Sequence, residues 1–420
     1  MTRAAVALLL WAGFTPAADP DPKSLAVPPA AAAEAAEWVK QLADRDYAER
    51  DEATKELRKL GRLALPTLLD ALATNSHPEV RLRCEILLPA AVSADIRAKV
   101  DCFLADTDGK HPHDLPAAKA FFAATGRTEA AKQLFGDMIR SANRDVLVAV
   151  DGPEADLQQK YLARRGELNL SLNGGVIINR PGTTAATGPT AVDMAALLFV
   201  EAKLPDKGLG TGVGIGVIRN QSLLSNYQFQ TNLRNAIESD ARKEALTAVL
   251  SHWMDTREQP QSIYTAVSFM NRFNLPHALP AARKLAFGKL AAGGPPTYRG
   301  YAIAYVARFG TADDLPPLES LHADKAVLTR MFVGGGVANK QNAIQTRDVG
   351  LAMTLLFAKQ NPTDYGFVNR YANSGVSDTL KFSYLAYYFD GDTDEKADEK
   401  REAAFKKYAD WKAKQKTDKK

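Results

Sequence analysis

Five short constellations in this 420-residue chain have residue types and spacing that could do chemistry. His111-Pro112-His113-Asp114 is the one cluster among six histidines. A zinc site wants His-Glu-x-x-His on a helix or four gathered ligands. Pro112 holds the local chain extended and no Cys-x-x-Cys is present, so the segment reads as a polar turn ahead of a helix at Leu115-Pro116, with Asp114 near its N-cap. Asp390-Gly391-Asp392-Thr393-Asp394 alternates three carboxylates as a calcium loop does. Glu395 stands where that loop needs Gly, and Arg401 where it needs Glu. The carboxylates instead suit the positive end of a helix that follows. Gly208-Leu209-Gly210-Thr211-Gly212-Val213-Gly214-Ile215-Gly216 follows a helix rather than a strand, places Ile215 where the dinucleotide fingerprint needs Gly, and has no P-loop Lys. A β-type strand is expected there, pairing with Val176–Ile178 as a short ribbon. No Gly-x-Ser-x-Gly motif occurs, and no catalytic residue, metal or cofactor is expected.

Cys84 and Cys102 are the only cysteines. If Ala94–Leu104 forms a helix folded back on the Cys84 helix through a turn near Ala91, the two are offset by four residues, about 6 Å along the axis. That leaves a disulfide open, with a Cα separation near the usual limit of about 7 Å. Two buried thiols are the simpler arrangement. Arg50, Arg81 and Arg299 recur at equivalent places in helical segments. They would bond the adjacent turn or, lining a groove, an anion.

The elements that must position these residues come from an internal repeat. At an offset of 31, Arg50 meets Arg81, Ala53 meets Cys84 and Leu57 meets Leu88. A Gly61 stop separates the first helix from a second, opened by Leu65-Pro66, whose Leu65, Leu68, Leu69 and Leu72 share one face. Leu115-Pro116, Leu279-Pro280 and Leu315-Pro316 repeat that opening. Segment 166–225 breaks the pattern with 10 of the 28 glycines, interrupted by one apolar helix, Ala191–Leu204. The chain ends in a charged amphipathic helix from Asp394, with Phe405, Tyr408 and Trp411 on one side for docking.

These helix pairs resemble HEAT-like repeats, well over Arg45–Leu104 and Pro296–Leu321 and faintly over Ser225–Leu290. Ile344–Ala352, followed by Asp364-Tyr365-Gly366-Phe367, is similar to a block of exported bacterial HEAT-like proteins of unknown role. The resemblance implies an all-α fold, an α-solenoid of antiparallel helix pairs with a concave groove. The expected organisation is a signal peptide at 1–18, a Pro/Ala-rich linker at 19–33 and N-terminal repeats at 34–165. A Gly-rich insertion at 166–225, a C-terminal helical array at 226–393 and a charged helix and tail at 394–420 follow.

Arg3 followed by the 11-residue apolar run Ala4–Phe14 and small residues to Ala18 reads as a secretory signal. The run is shorter than the roughly 20 residues a membrane span requires. The expected location is therefore periplasmic or extracellular. Net charge is +4, while Lys406–Lys420 alone carries seven Lys against two Asp. The body is thus near neutral, which argues against a nucleic-acid partner. The expected function is non-catalytic binding or scaffolding through a helical-repeat groove, for a protein or peptide partner. The alternative is an enzyme whose site the 166–225 insertion completes over that groove.

Overall fold

A computed structural model of the chain describes residues 19–172, 189–206, 224, 227–239, 241–333, 340–372, 378–391 and 393–417. The predicted signal peptide, and the proposed ribbon of 176–178 with 209–215, lie outside the described residues. The protein is mostly helical and divides into two compact units, Met1–Asp151 and Gly152–Lys420.

The first unit contains α1 (Pro29–Gln41), α2 (Tyr47–Leu60), α3 (Leu65–Thr74), α4 (Pro78–Ala105), α5 (Ala118–Thr125), α6 (Glu129–Arg140) and α7 (Arg144–Val148). The expected 19–33 linker already carries a 3-10 turn at Pro22–Leu25, and α1 begins inside it, with a proline at its first position. Asp46 caps α2, accepting from the Ala48 N–H at 2.9 Å. Gly61 ends α2 at φ +55°, a left-handed backbone that suits glycine. Leu42, Ala53, Leu57, Leu68, Val80, Cys84 and Leu87 interlock as the core of the first helices. Phe103, Phe121, Phe122 and Phe135 form a second, aromatic core, with ring centroids 5.2–6.1 Å apart.

The helix hairpin expected around Ala91 is instead one helix, α4, running unbroken through Pro89. A proline inside a helix costs about 3 kcal/mol. Burial on both sides of it offsets this: Cys84, Leu87 and Ala91 before or near it, and Val100, Cys102 and Phe103 beyond. Gly136 of α6 lets the two helices approach, since a Cβ there would meet Val100 Cγ1 at 3.1 Å. A disulfide is therefore excluded by geometry. The two cysteines stand 18 residues apart on one helix, about 27 Å at 1.5 Å per residue, and both are free and buried. Burial pushes both thiols up in pKa. Cys84 is expected to resist iodoacetamide until the protein unfolds, and the non-reduced mass to retain both thiol hydrogens; a mass short by two hydrogens would contradict this.

The second unit contains α8 (Glu154–Leu172), α9 (Ala191–Glu201), α10 (Tyr227–Ser239), α11 (Lys243–Asp255), α12 (Pro260–Arg272), α13 (Leu279–Ala286), α14 (Pro296–Phe309) and α15 (Leu315–Ser320). The hairpin β1 (Val327–Val333) and β2 (Lys340–Gln345) leads into α16 (Thr346–Phe357). Then come β3 (Val368–Asn369), α17 (Asp378–Lys381), β4 (Tyr387–Tyr388), antiparallel to β3, and α18 (Asp394–Thr417). Helix α8 runs continuously across position 165, so the first unit ends earlier than the repeat pattern suggested, at Asp151. Helix α9 is the helix expected within segment 166–225. Met194 to Val200 are apolar on every side and all buried, which places α9 in the core against α8, α10 and α11. The 226–393 segment is not purely helical, since it holds both two-stranded sheets.

Candidate functional site

The N-terminal helices carry an exposed apolar surface. Helix α4 buries one stripe, Val80, Cys84, Leu87 and Ala91. Leu82, Ile86, Pro89 and Ala90, spaced i, i+4, i+7 and i+8, lie exposed on another side. Leu82 is 53% and Ile86 59% exposed. A helix apolar on two faces is suited to packing on both, and exposed apolar patches mark contact surfaces. On the neighbouring α2, Tyr47 is 64% exposed, with Arg50 and Arg83 guanidinium carbons 5.6 and 5.7 Å from its ring centre. Arg83 is held by Glu79 at 2.6 Å and by the Thr54 hydroxyl at 2.9 Å.

The three recurring arginines bond to chain turns. Arg50 Nη1 donates to the carbonyls of Asp44 and Arg45 at 2.7 and 3.0 Å. Arg81 Nη1 donates to the Leu72 carbonyl at 2.7 Å. Arg299 donates to the Ala286 carbonyl at 3.0 Å and to Asp324 at 2.6 Å. Each joins its helix to a neighbouring turn or element end, so these groups brace their helices.

No family model matches the chain, and no curated protein or solved structure matches it.

The histidine segment is a turn ahead of a helix, as expected, but α5 starts at Ala118 rather than at Leu115-Pro116 and Asp114 does not cap it; the segment also lines a cavity. After α4, Asp106 turns back into the unit, 4% exposed. Its carboxylate accepts from the backbone N–H of Lys110 and of His111, both at 3.0 Å, and lies 3.1 Å from His113 Nε2. Burial pushes the Asp106 carboxyl up in pKa, but these donors outweigh it and hold it at about 2. Beside it, the buried Lys132 Nζ donates to the carbonyls of Asp106 and Thr107 at 2.7 and 3.3 Å. Phe103 and Phe122 form an apolar wall of an open cavity of about 520 Å³. The sequence signalled the histidines. It did not signal Lys132 or Arg127, which reach the same cavity from beyond α5. No group of three His, Cys, Asp or Glu among the described residues is placed to hold a metal ion. In the acidic run, Asp390 lies 3.5 Å from Asn342 Nδ2 and Asp394 opens α18, while Asp392 lies outside the described residues.

Proposed function

We propose that the chain is an exported, non-catalytic binding protein whose HEAT-like helix pairs, stacked as a solenoid, present a surface to a protein or peptide partner. The exposed stripe Leu82–Ile86–Pro89–Ala90 carries this reading. It is a helix face with core-like composition lying outside the core. Two features support the repeat arrangement: the Leu-Pro openings of α3, α13 and α15, and the recurring arginine bonds to preceding turns. Among the described residues, no helix is long and apolar enough to cross a membrane.

The test compares the parent with Leu82→Lys/Ile86→Lys. Changes at such exposed sites shift stability by about 0.5 kcal/mol or less, so both proteins should melt together. The partner captured from the exported fraction by the parent should fall at least about tenfold with the variant. Equal recovery of the same partner by both would sink the reading.

A further inference from the structure

We infer that the cavity around His113 and Lys132 binds a small organic anion, a phosphate or carboxylate carried on an aromatic or apolar body. The site is separate from the α4 surface and requires no protein partner.

The balance of charge in the cavity points to an anion. The nearby carboxylates are already engaged. Asp108 pairs with Lys110 at 2.6 Å, Asp106 accepts from two backbone N–H groups and lies 3.1 Å from His113, and Asp21 faces His111 at 3.9 Å. Lys119, Arg127 and Lys132 line the same cavity with no carboxylate in ion-pair reach among the described residues. Lys132 decides the matter. It is 7% exposed, its Nζ donates to two carbonyls, and no carboxylate oxygen lies within ion-pair distance of it among the described residues. An ammonium has three donors and two are used. Buried charges without a counter-charge are costly, and an anion in the cavity would supply one.

The walls specify the rest of the ligand. Phe103 and Phe122 stand 5.7 Å apart, with Lys132 5.9 Å from the first ring centre and Arg127 5.5 Å from the second. Charge and aromatic wall therefore adjoin. A bare inorganic ion would use only half of this surface. The cavity volume of about 520 Å³ suits a small molecule.

Calorimetric titration of the full chain tests this with four probes: phenyl phosphate, benzoate, inorganic phosphate and benzyl alcohol. Phenyl phosphate or benzoate should bind with Kd below about 1 mM, at least roughly tenfold tighter than both inorganic phosphate and benzyl alcohol. Which of the two binds identifies the head group. Lys119→Gln/Arg127→Gln, both surface changes, should weaken that binding roughly tenfold. Three results would each overturn the inference: neither organic anion binding by about 5 mM, inorganic phosphate or benzyl alcohol binding as well, or the double variant binding like the parent.

Discussion

Arg401→Leu should cost the second unit about 3–5 kcal/mol, a large share of the stability of an ordinary domain. Arg401 and Asp348 are 1% and 0% exposed. Arg401 Nε meets Asp348 at 2.9 Å, and its Nη2 donates to the Ala343 carbonyl at 2.7 Å. One guanidinium thus ties α18 to α16 and to β2. Removing it strands the Asp348 carboxylate, which also accepts the Gln345 N–H at the start of α16. Burial already pushes Asp348 up in pKa despite Arg401. Without Arg401 it rises further. The folded state then binds more protons than the unfolded one, so the deficit should shrink as pH falls. Arg347 gives the contrast. It is buried too, but its partners Asp398 and Glu402 are 51% and 68% exposed. Its loss leaves carboxylates that water can solvate, and Arg347→Leu should cost about 1 kcal/mol or less for the ion pairs. Native-state hydrogen exchange of the α16 amides at two pH values would measure both variants. Equal losses would show that burial of the partner is not the deciding term.

Acid should loosen the docking of α18 through His322. The His322 ring lies 3.2 Å from the Thr354 hydroxyl of α16, and 5.3 and 5.4 Å from the Phe405 and Tyr408 rings of α18. Burial, aided by Lys412 and opposed by Glu319, lowers its pKa to about 4. The unfolded value is near 6.5. The unfolded state therefore binds the extra proton first. The stabilisation is complete above about pH 6.5 and is lost as pH falls toward about 4, amounting to on the order of 2 kcal/mol by about pH 5. Glu319, which accepts from Tyr408 at 2.5 Å and from Lys412, is held below its usual range, so its own loss comes at lower pH. Stability of the parent should fall between about pH 7 and pH 5, and that of His322→Leu should fall far less. Parallel pH profiles would rule His322 out as the acid-sensitive group.

The docking of α18 was readable in advance. Phe405, Tyr408 and Trp411 share one side of an otherwise charged helix, and Tyr408 is buried with Arg401 and Ala404. The anchor itself was not. Arg401 sits among exposed lysines and glutamates in the sequence. Only the approach of β2 and α16 from 50 or more residues away shows that it is buried. The hairpin β1–β2 had a local signal, the β-rich run Val327–Val333 before three glycines. Its place within a helical array hid it. The merging of two expected helices into α4 had no local signal: a turn was expected near Ala91, and only burial along both halves shows that the helix runs on through Pro89.

The sequence by itself determined the helix openings at Leu65-Pro66, Leu279-Pro280 and Leu315-Pro316, the recurring Arg positions and the apolar character of α9, because proline geometry and 3.6-residue periodicity act over a few residues. Tertiary structure decided three things: that α4 crosses its proline, that Asp348 and Arg401 meet in the core, and that Lys132 and Arg127 join the histidine segment around one cavity. Those outcomes depend on burial and on charges brought together from distant elements. A linear sequence does not show which polar groups lose their water.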